Sequence, residues 1–277
     1  MEANNYEKIV ELYKMLGEQE DLLNVFYTND YPVPFKSLKI YPVQMDLYFY
    51  FQVFSQCLLE PHKTSGDIKA ISMSYLRYLC YLGTDKQRPE ILVFLSELIS
   101  IVFKIPKFVK NDKGEKTYNI DINLDEAIIR VGEETINEKE FDTFRKIVLE
   151  QNALELPDET LNPELVKAYK ELEQFKQKQS NVKMCDIEGQ IDIVIAQTSY
   201  RKDEILKMTI RTFSHLFERL LMITNYEIQS LLTPYMEKKN QENITHYLAD
   251  NHRTLKERIE KESMDESSLR KIIDGGQ

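Results

Sequence analysis

The chain has 277 residues, 42% of them hydrophobic and 30% charged, which is enough apolar material for a core and excludes a collagen-like or wholly disordered chain. Its 46 acidic and 36 basic side chains leave a formal net charge of −10 at pH 7, the wrong sign for a protein whose main task is to grip phosphate backbones, so nonspecific nucleic-acid binding is disfavoured. The first residues, Met1-Glu2-Ala3-Asn4-Asn5, are polar and acidic, and nowhere do about 18 apolar residues run together, so neither a signal peptide nor a membrane span is expected.

In chain order, Ile9, Leu12, Tyr13 and Leu16 fall at helical spacing between a capping Asn4 or Asn5 and a stop at Gly17, which predicts a short amphipathic helix. A second apolar patch follows at Leu22–Tyr27. Pro32 and Pro34 then force extended chain, and Leu38–Tyr41 alternates as a short edge strand would. Val43–Glu60 is almost solidly apolar and aromatic, with Gln44, Gln52, Ser55 and Gln56 as a narrow polar stripe, and its length favours a helix. Asp67 is placed to cap a further helix running to Gly83, and Pro89 to open another through Phe103.

From Phe108 the pattern changes. Asn111-Asp112-Lys113-Gly114 is turn chemistry, and Tyr118–Ile122 and Ala127–Val131 read as the strands of a hairpin. Asn137 with Glu140 forms a capping box opening a helix whose face is Phe141, Phe144, Ile147 and Val148. Asn162-Pro163 marks another helix start, Ile187–Ile195 a further helix, and Arg201–Thr224 one long amphipathic helix with Leu206, Ile210, Phe213, Phe217, Leu220 and Leu221 on its apolar face. Thr224 with Glu227 offers another capping box. Beyond Asn251 apolar anchors are too few to offset ordering entropy, so a loose helix or disorder is expected. The expected fold is mainly α, with helical bundle-like units and a small β-hairpin insertion, divided as 1–107, 108–157 and 158–277.

Chemistry-bearing constellations are sparse. Cys57, Cys80 and Cys185 contain no CxxC pair and read as small hydrophobes. The eight glycines do not cluster as a phosphate-cradling loop would require. His62, His215, His246 and His252 lack i, i+4 spacing, and His215-x-x-Glu218 reverses the order found in di-iron bundles. Asp121, Asp125 and Glu126 form the carboxylate cluster on which an enzyme would have to rest. No cofactor, metal or catalytic activity is expected, and apolar helical surface without a reactive constellation points to a protein that works by touching another polypeptide.

Three stretches carry a resemblance: Val33-Pro34-Phe35 through Leu38-Lys39-Ile40-Tyr41-Pro42-Val43, Phe141–Asn152, and Asp203–Ile210. Their order, in a helical, acidic, glycine-poor chain, resembles the tail assembly chaperones and minor tail proteins encoded by bacteriophages of low-GC Gram-positive bacteria. The resemblance implies a non-enzymatic protein of the host cytoplasm that covers the apolar stripes of the tape-measure protein. It implies phage tail partners and possible homo-oligomers, with no nucleic acid and no membrane. The apolar segments 43–60 and 201–224 would supply the contacts, with Tyr48, Phe51, Phe54, Phe213 and Phe217 as the residues concerned. The alternative from another class is a structural neck or baseplate component of the virion, with its helices as interfaces in a ring.

Overall fold

Helices dominate and the strands form small antiparallel sheets of two or three, the mainly α arrangement that the sequence predicts. The computed structural model describes residues 2–17, 19–63, 67–110, 116–159 and 185–235, with single positions at 166, 168, 169, 171, 172, 175, 246, 257 and 258. The chain divides into two compact units: Met1–Leu156 with Thr198–Leu216, and Pro157–Gln197 with Phe217–Gln277.

In the first unit, α1 (Glu2–Leu16) stops where Gly17 takes φ +77, a left-handed conformation that costs glycine little, and the Gly17 N–H closes on the Tyr13 carbonyl at 3.0 Å. In α2 (Glu20–Thr28) the buried Phe26 packs edge-on against Tyr13, with centroids 5.4 Å apart. The proline-rich segment becomes β1 (Val33–Phe35), paired with β2 (Leu38–Ile40) across a two-residue turn. Pro34 opposes Lys39, next to the turn-closing pair Phe35–Leu38, where the ladder's alternation needs no inward donor.

The apolar run after Val43 is not one helix. A 3₁₀ turn at Met45–Leu47 leads into α3 (Tyr48–Phe54), and α4 (Gln56–Leu59) follows after Ser55. Asp67 does cap, accepting from the Lys69 and Ala70 amides, but α5 (Ile68–Ile71) ends after one turn and Ser74 caps a separate α6 (Tyr75–Thr84) through the Arg77 amide. Gly83 lies inside α6 and is not a stop. A Cβ there would meet Leu92 Cδ1 at 2.5 Å, so its missing side chain lets α6 approach α7 (Glu90–Phe103) closely.

Helix α7 is the centre of the core. Ile91, Leu95, Leu98, Ile99 and Val102 are sealed against α3, α4 and α6, and each such side chain contributes about 1.5–3 kcal/mol over its exposed state. The left-handed Lys104 ends it. The two-stranded ribbon β3 (Phe108–Lys110) and β4 (Lys116–Tyr118) follows, then a meander of β5 (Ile120–Asn123), β6 (Ile128–Val131) and β7 (Glu134–Ile136), one strand more than the expected hairpin. The Asn137–Glu140 capping box forms as the sequence predicts. Asn137 Oδ1 accepts the Lys139 and Glu140 amides, Glu140 Oε2 accepts the Asn137 amide, and α8 (Glu138–Gln151) buries Phe141, Phe144, Ile147 and Val148.

Backbone oxygens in the last turn of α4 and just beyond it are gathered in by side chains of α6 and α8. Tyr75 Oη donates to the Cys57 and Glu60 carbonyls, Tyr78 Oη to that of Pro61, and Arg145 Nε to that of Leu58 at 2.8 Å, with its guanidinium 3.4 Å above the Tyr75 ring. These are the orphan acceptors of a helix end, here satisfied inside the protein.

Arg77 also bridges elements, pairing with Glu138 at 2.7 Å and reaching the Asp125 and Glu126 carbonyls. Hydrogen bonds from Arg77 and Ser74 hold the Glu138 carboxyl below its ordinary value of 4.5. A depressed carboxylate pKa contributes stability above the unfolded value and loses it as pH falls through the folded one. Glu138→Gln is therefore expected to lessen the loss of stability below pH 4.5, read as a smaller fall in melting temperature on acidification than in the parent chain.

The return of Thr198–Leu216 completes this unit and departs most from expectation. The long helix predicted from Arg201 is two, α10 (Lys202–Lys207) and α11 (Ile210–Leu232), because the chain is extended at Met208–Thr209 and pairs with Val43–Met45. The Met45 amide donates to Met208 O at 2.9 Å and the Ile210 amide to Val43 O at 2.8 Å. Asp30 accepts both Thr209 Oγ1 (2.7 Å) and Thr212 Oγ1 (2.8 Å), and Arg211 donates to the Glu150 carbonyl at 2.6 Å.

In the second unit, α9 (Ile187–Gln197) buries Ile191 and Val194, and Gln197 Nε2 donates to Thr224 Oγ1 at 3.3 Å. Thr224 lies within α11 and caps nothing, since the helix runs on to Leu232 before a 3₁₀ turn at Thr233–Tyr235. The helix start at Asn162-Pro163 and nearly all of the tail beyond Asn251 lie outside the described residues. Among the described residues no helix is long and apolar enough to cross a membrane.

Candidate interaction surface

Helix α3 has to satisfy two surroundings. With Phe51 turned into the core at 2% exposure, the 3.6-residue period puts Phe49 and Tyr50 on the outside, where they are 70% and 54% exposed. Helix α7, whose buried face is Ile91, Leu95 and Leu98, leaves Val93 outward at 53% and Phe94 half-buried.

The outward aromatics form a chain across the two helices. Phe49 and Tyr50 lie 6.1 Å apart at 77°, Tyr50 stacks on Phe54 at 6.2 Å and 29°, and Phe54 meets Phe94 at 5.8 Å. Each contact of this kind is worth about 0.5–1.5 kcal/mol beyond the area it covers, so the ridge is held in place before anything binds. Asp46, Glu90 and Glu97 stand three or four residues from its members along the same helical segments, which puts carboxylates at its edge. What such an arrangement offers chemically is desolvation and packing of apolar groups against aromatic faces.

The five contact residues expected from the sequence differ in their exposure. Phe51 and Phe213 are 2% exposed and Phe217 is 9%, so all three are core and offer a partner no surface without local opening. Tyr48 and Phe54 are half-buried, and partial burial raises the Tyr48 hydroxyl above its ordinary pKa. Helical period alone groups residues on a face without saying which face is buried. A signal for Phe49 was nonetheless present, since it stands three and seven residues before Gln52 and Gln56 on the polar stripe, and all three are exposed.

Among the described residues the other reactive types are engaged in local contacts or buried. Burial pushes the Cys57 thiol far up and the Cys80 thiol to about 11, which leaves both poor nucleophiles at neutral pH. Asp121, Asp125 and Glu126 are exposed. Asp121 pairs across the ladder with Arg130, and the Asp125 and Glu126 amides donate to Asn123 Oδ1 in a local turn. Half-buried Glu150 accepts from Tyr27 Oη at 3.3 Å, with burial raising both groups. A groove of 600 Å³ lies between α1 and the β1–β2 hairpin, but Lys36 at its rim is engaged by Glu140 (2.9 Å) and the Thr135 carbonyl (2.6 Å), and Lys39 sits over the Tyr6 ring. No group of three His, Cys, Asp or Glu placed to hold a metal occurs among the described residues.

Comparison with known proteins adds one similarity. Residues 176–252 match the YomV second domain. This is a Bacillus phage-derived protein family, and the match covers somewhat over a quarter of the chain. It takes in α9, α10 and α11, and so straddles both units. No curated protein and no solved structure matches the chain significantly.

Proposed function

We propose that this chain is a phage-encoded, non-catalytic binding protein, and more specifically a tail assembly chaperone that covers apolar stripes of the helical tape-measure protein. The observation that carries the reading is the exposed ridge Phe49–Tyr50–Phe54–Phe94, an aromatic surface held by ring contacts on two helices. The similarity of residues 176–252 to a phage-derived domain supports the phage setting. The partner mode that suits an exposed apolar ridge is an amphipathic helix that lays residues i, i+3, i+4 and i+7 against it. The formal charge of −10 keeps a complex between two apolar surfaces soluble.

The test is co-expression with the tape-measure chain of the same phage, reading the soluble fraction of that chain. Rescue is expected with the parent protein and its loss with Phe49→Ser/Tyr50→Ser. The double variant gives up two ring contacts of outward residues and should cost about 1–3 kcal/mol of stability. If the tape-measure chain stays insoluble with this protein in excess, the chaperone reading fails. Rescue that is indifferent to both substitutions removes the ridge from it.

A further inference from the structure

The helical segments that carry the aromatic ridge bear charge of one sign. Met45–Phe54 contains Asp46, α7 contains Glu90 and Glu97, and neither has a lysine, an arginine or a histidine. Asp46 is exposed, one helical turn before Phe49 and Tyr50. The cations that pair with the other two come from outside these helices. Lys107 pairs with Glu97, and Arg88 reaches Glu90 at 3.4 Å while pairing more closely with Glu60 at 2.7 Å, so that two carboxylates share one guanidinium. Helix α10, which packs on the Met45–Leu47 turn, is balanced, with Lys202 and Lys207 against Asp203 and Glu204.

The ridge is also aromatic rather than aliphatic, which matters for charge as well as for packing. A ring face is the negative side of its quadrupole, so the outward rings of Phe49 and Tyr50, 70% and 54% exposed, attract a cation as well as burying an apolar side chain. Carboxylates along the edge and ring faces in the middle therefore select the same kind of occupant.

We propose that the partner helix that docks on Phe49, Tyr50, Phe54 and Phe94 is basic along the borders of its apolar stripe, with lysine or arginine at the positions that flank it. A helix offering the same apolar residues between acidic flanks is rejected, because its carboxylates meet Asp46, Glu90 and the ring faces, and specificity is the difference between those two affinities. A second copy of this chain is disfavoured as the occupant for the same reason: a two-fold contact sets the same patch on both sides, and here that brings carboxylates against carboxylates. The inference rests on the ridge being the contact surface and adds which helices qualify.

Two labelled amphipathic peptides of about 20 residues, identical in their leucine stripe and flanked throughout by lysine in one and by glutamate in the other, test it by fluorescence anisotropy on the full chain. At about 50 mM salt the lysine-flanked peptide is expected to bind about tenfold more tightly than the glutamate-flanked one, with the ratio shrinking as salt rises. Phe49→Ser/Tyr50→Ser should lose the lysine-flanked peptide. Asp46→Asn/Glu90→Gln, which leaves the rings in place, should narrow the ratio to about threefold, and circular dichroism matching the parent confirms that each variant is folded. Equal affinity of the two peptides for the parent chain, or binding of neither, overturns the proposal. So does lysine-flanked binding undiminished by Phe49→Ser/Tyr50→Ser, which is attraction to the overall negative charge alone. A dimer of the parent chain in light scattering that the same double substitution dissolves assigns the ridge to a second copy and overturns it too. A clear preference for the lysine-flanked peptide, lost with the rings, supports the proposal even where the tape-measure chain is not solubilised, and in that case the chaperone reading fails alone.

Discussion

A chain ending at Gln197 should not melt cooperatively, whereas one ending at Leu216 should. The nineteen residues between hold Ile205, Ile210 and Phe213 at 0%, 4% and 2% exposure within the first unit, so removing them uncovers the surfaces against which they pack. Three such side chains account for roughly 5–9 kcal/mol of burial. That is comparable with the whole stability of an ordinary domain, about 5–15 kcal/mol. The shorter chain also loses the two backbone bonds to Val43 and Met45, both threonine bonds to Asp30 and the Arg211 bond to the Glu150 carbonyl. Thermal unfolding followed by circular dichroism reads the outcome, and an equally sharp transition at the same temperature in both chains would refute the account. The same reasoning bears on the region similar to the YomV second domain. Expressed as residues 176–252 alone, it would carry those three apolar side chains without the surface that covers them in this chain.

That segment also shows where sequence reading stops. The Asn137–Glu140 capping box and the buried face of α8 were legible because their causes lie within one or two helical turns: a side-chain oxygen, two amides and a 3.6-residue period. The interruption of Arg201–Thr224 at Met208–Thr209 was not legible, since its cause is a pairing with Val43–Met45 some 160 residues away. Gly83 misled for a related reason. Glycine near the end of an apolar run commonly marks a stop, but here it is required by Leu92 on the neighbouring helix. In the aromatic run, period placed Phe51 and Phe49 on different faces of α3, and only the packing of α3 against α7 decided which faced water.

Replacing Phe144 by alanine should lower stability by about 4 kcal/mol, in the upper range for a fully buried aromatic ring. Phe144 is 0% exposed and joins three elements: Phe35 of β1 at 6.1 Å, Phe103 at the end of α7 at 5.5 Å and 25°, and Phe141 one turn back at 5.6 Å. For a unit of this size the melting temperature should fall by about 10 °C, with Phe144→Leu much milder because most of the volume is kept. The substitution also separates two ways of losing a partner. Phe103 belongs to the helix that carries Val93 and Phe94, so loosening the Phe144 cluster disturbs the ridge only through the stability of the core on which it stands. Below its lowered melting temperature, Phe144→Ala should still solubilise the tape-measure chain, whereas Phe49→Ser/Tyr50→Ser should fail while remaining folded. If the two variants instead lose partner solubilisation in step with their melting temperatures, the effect is one of global stability and the ridge is not the contact surface.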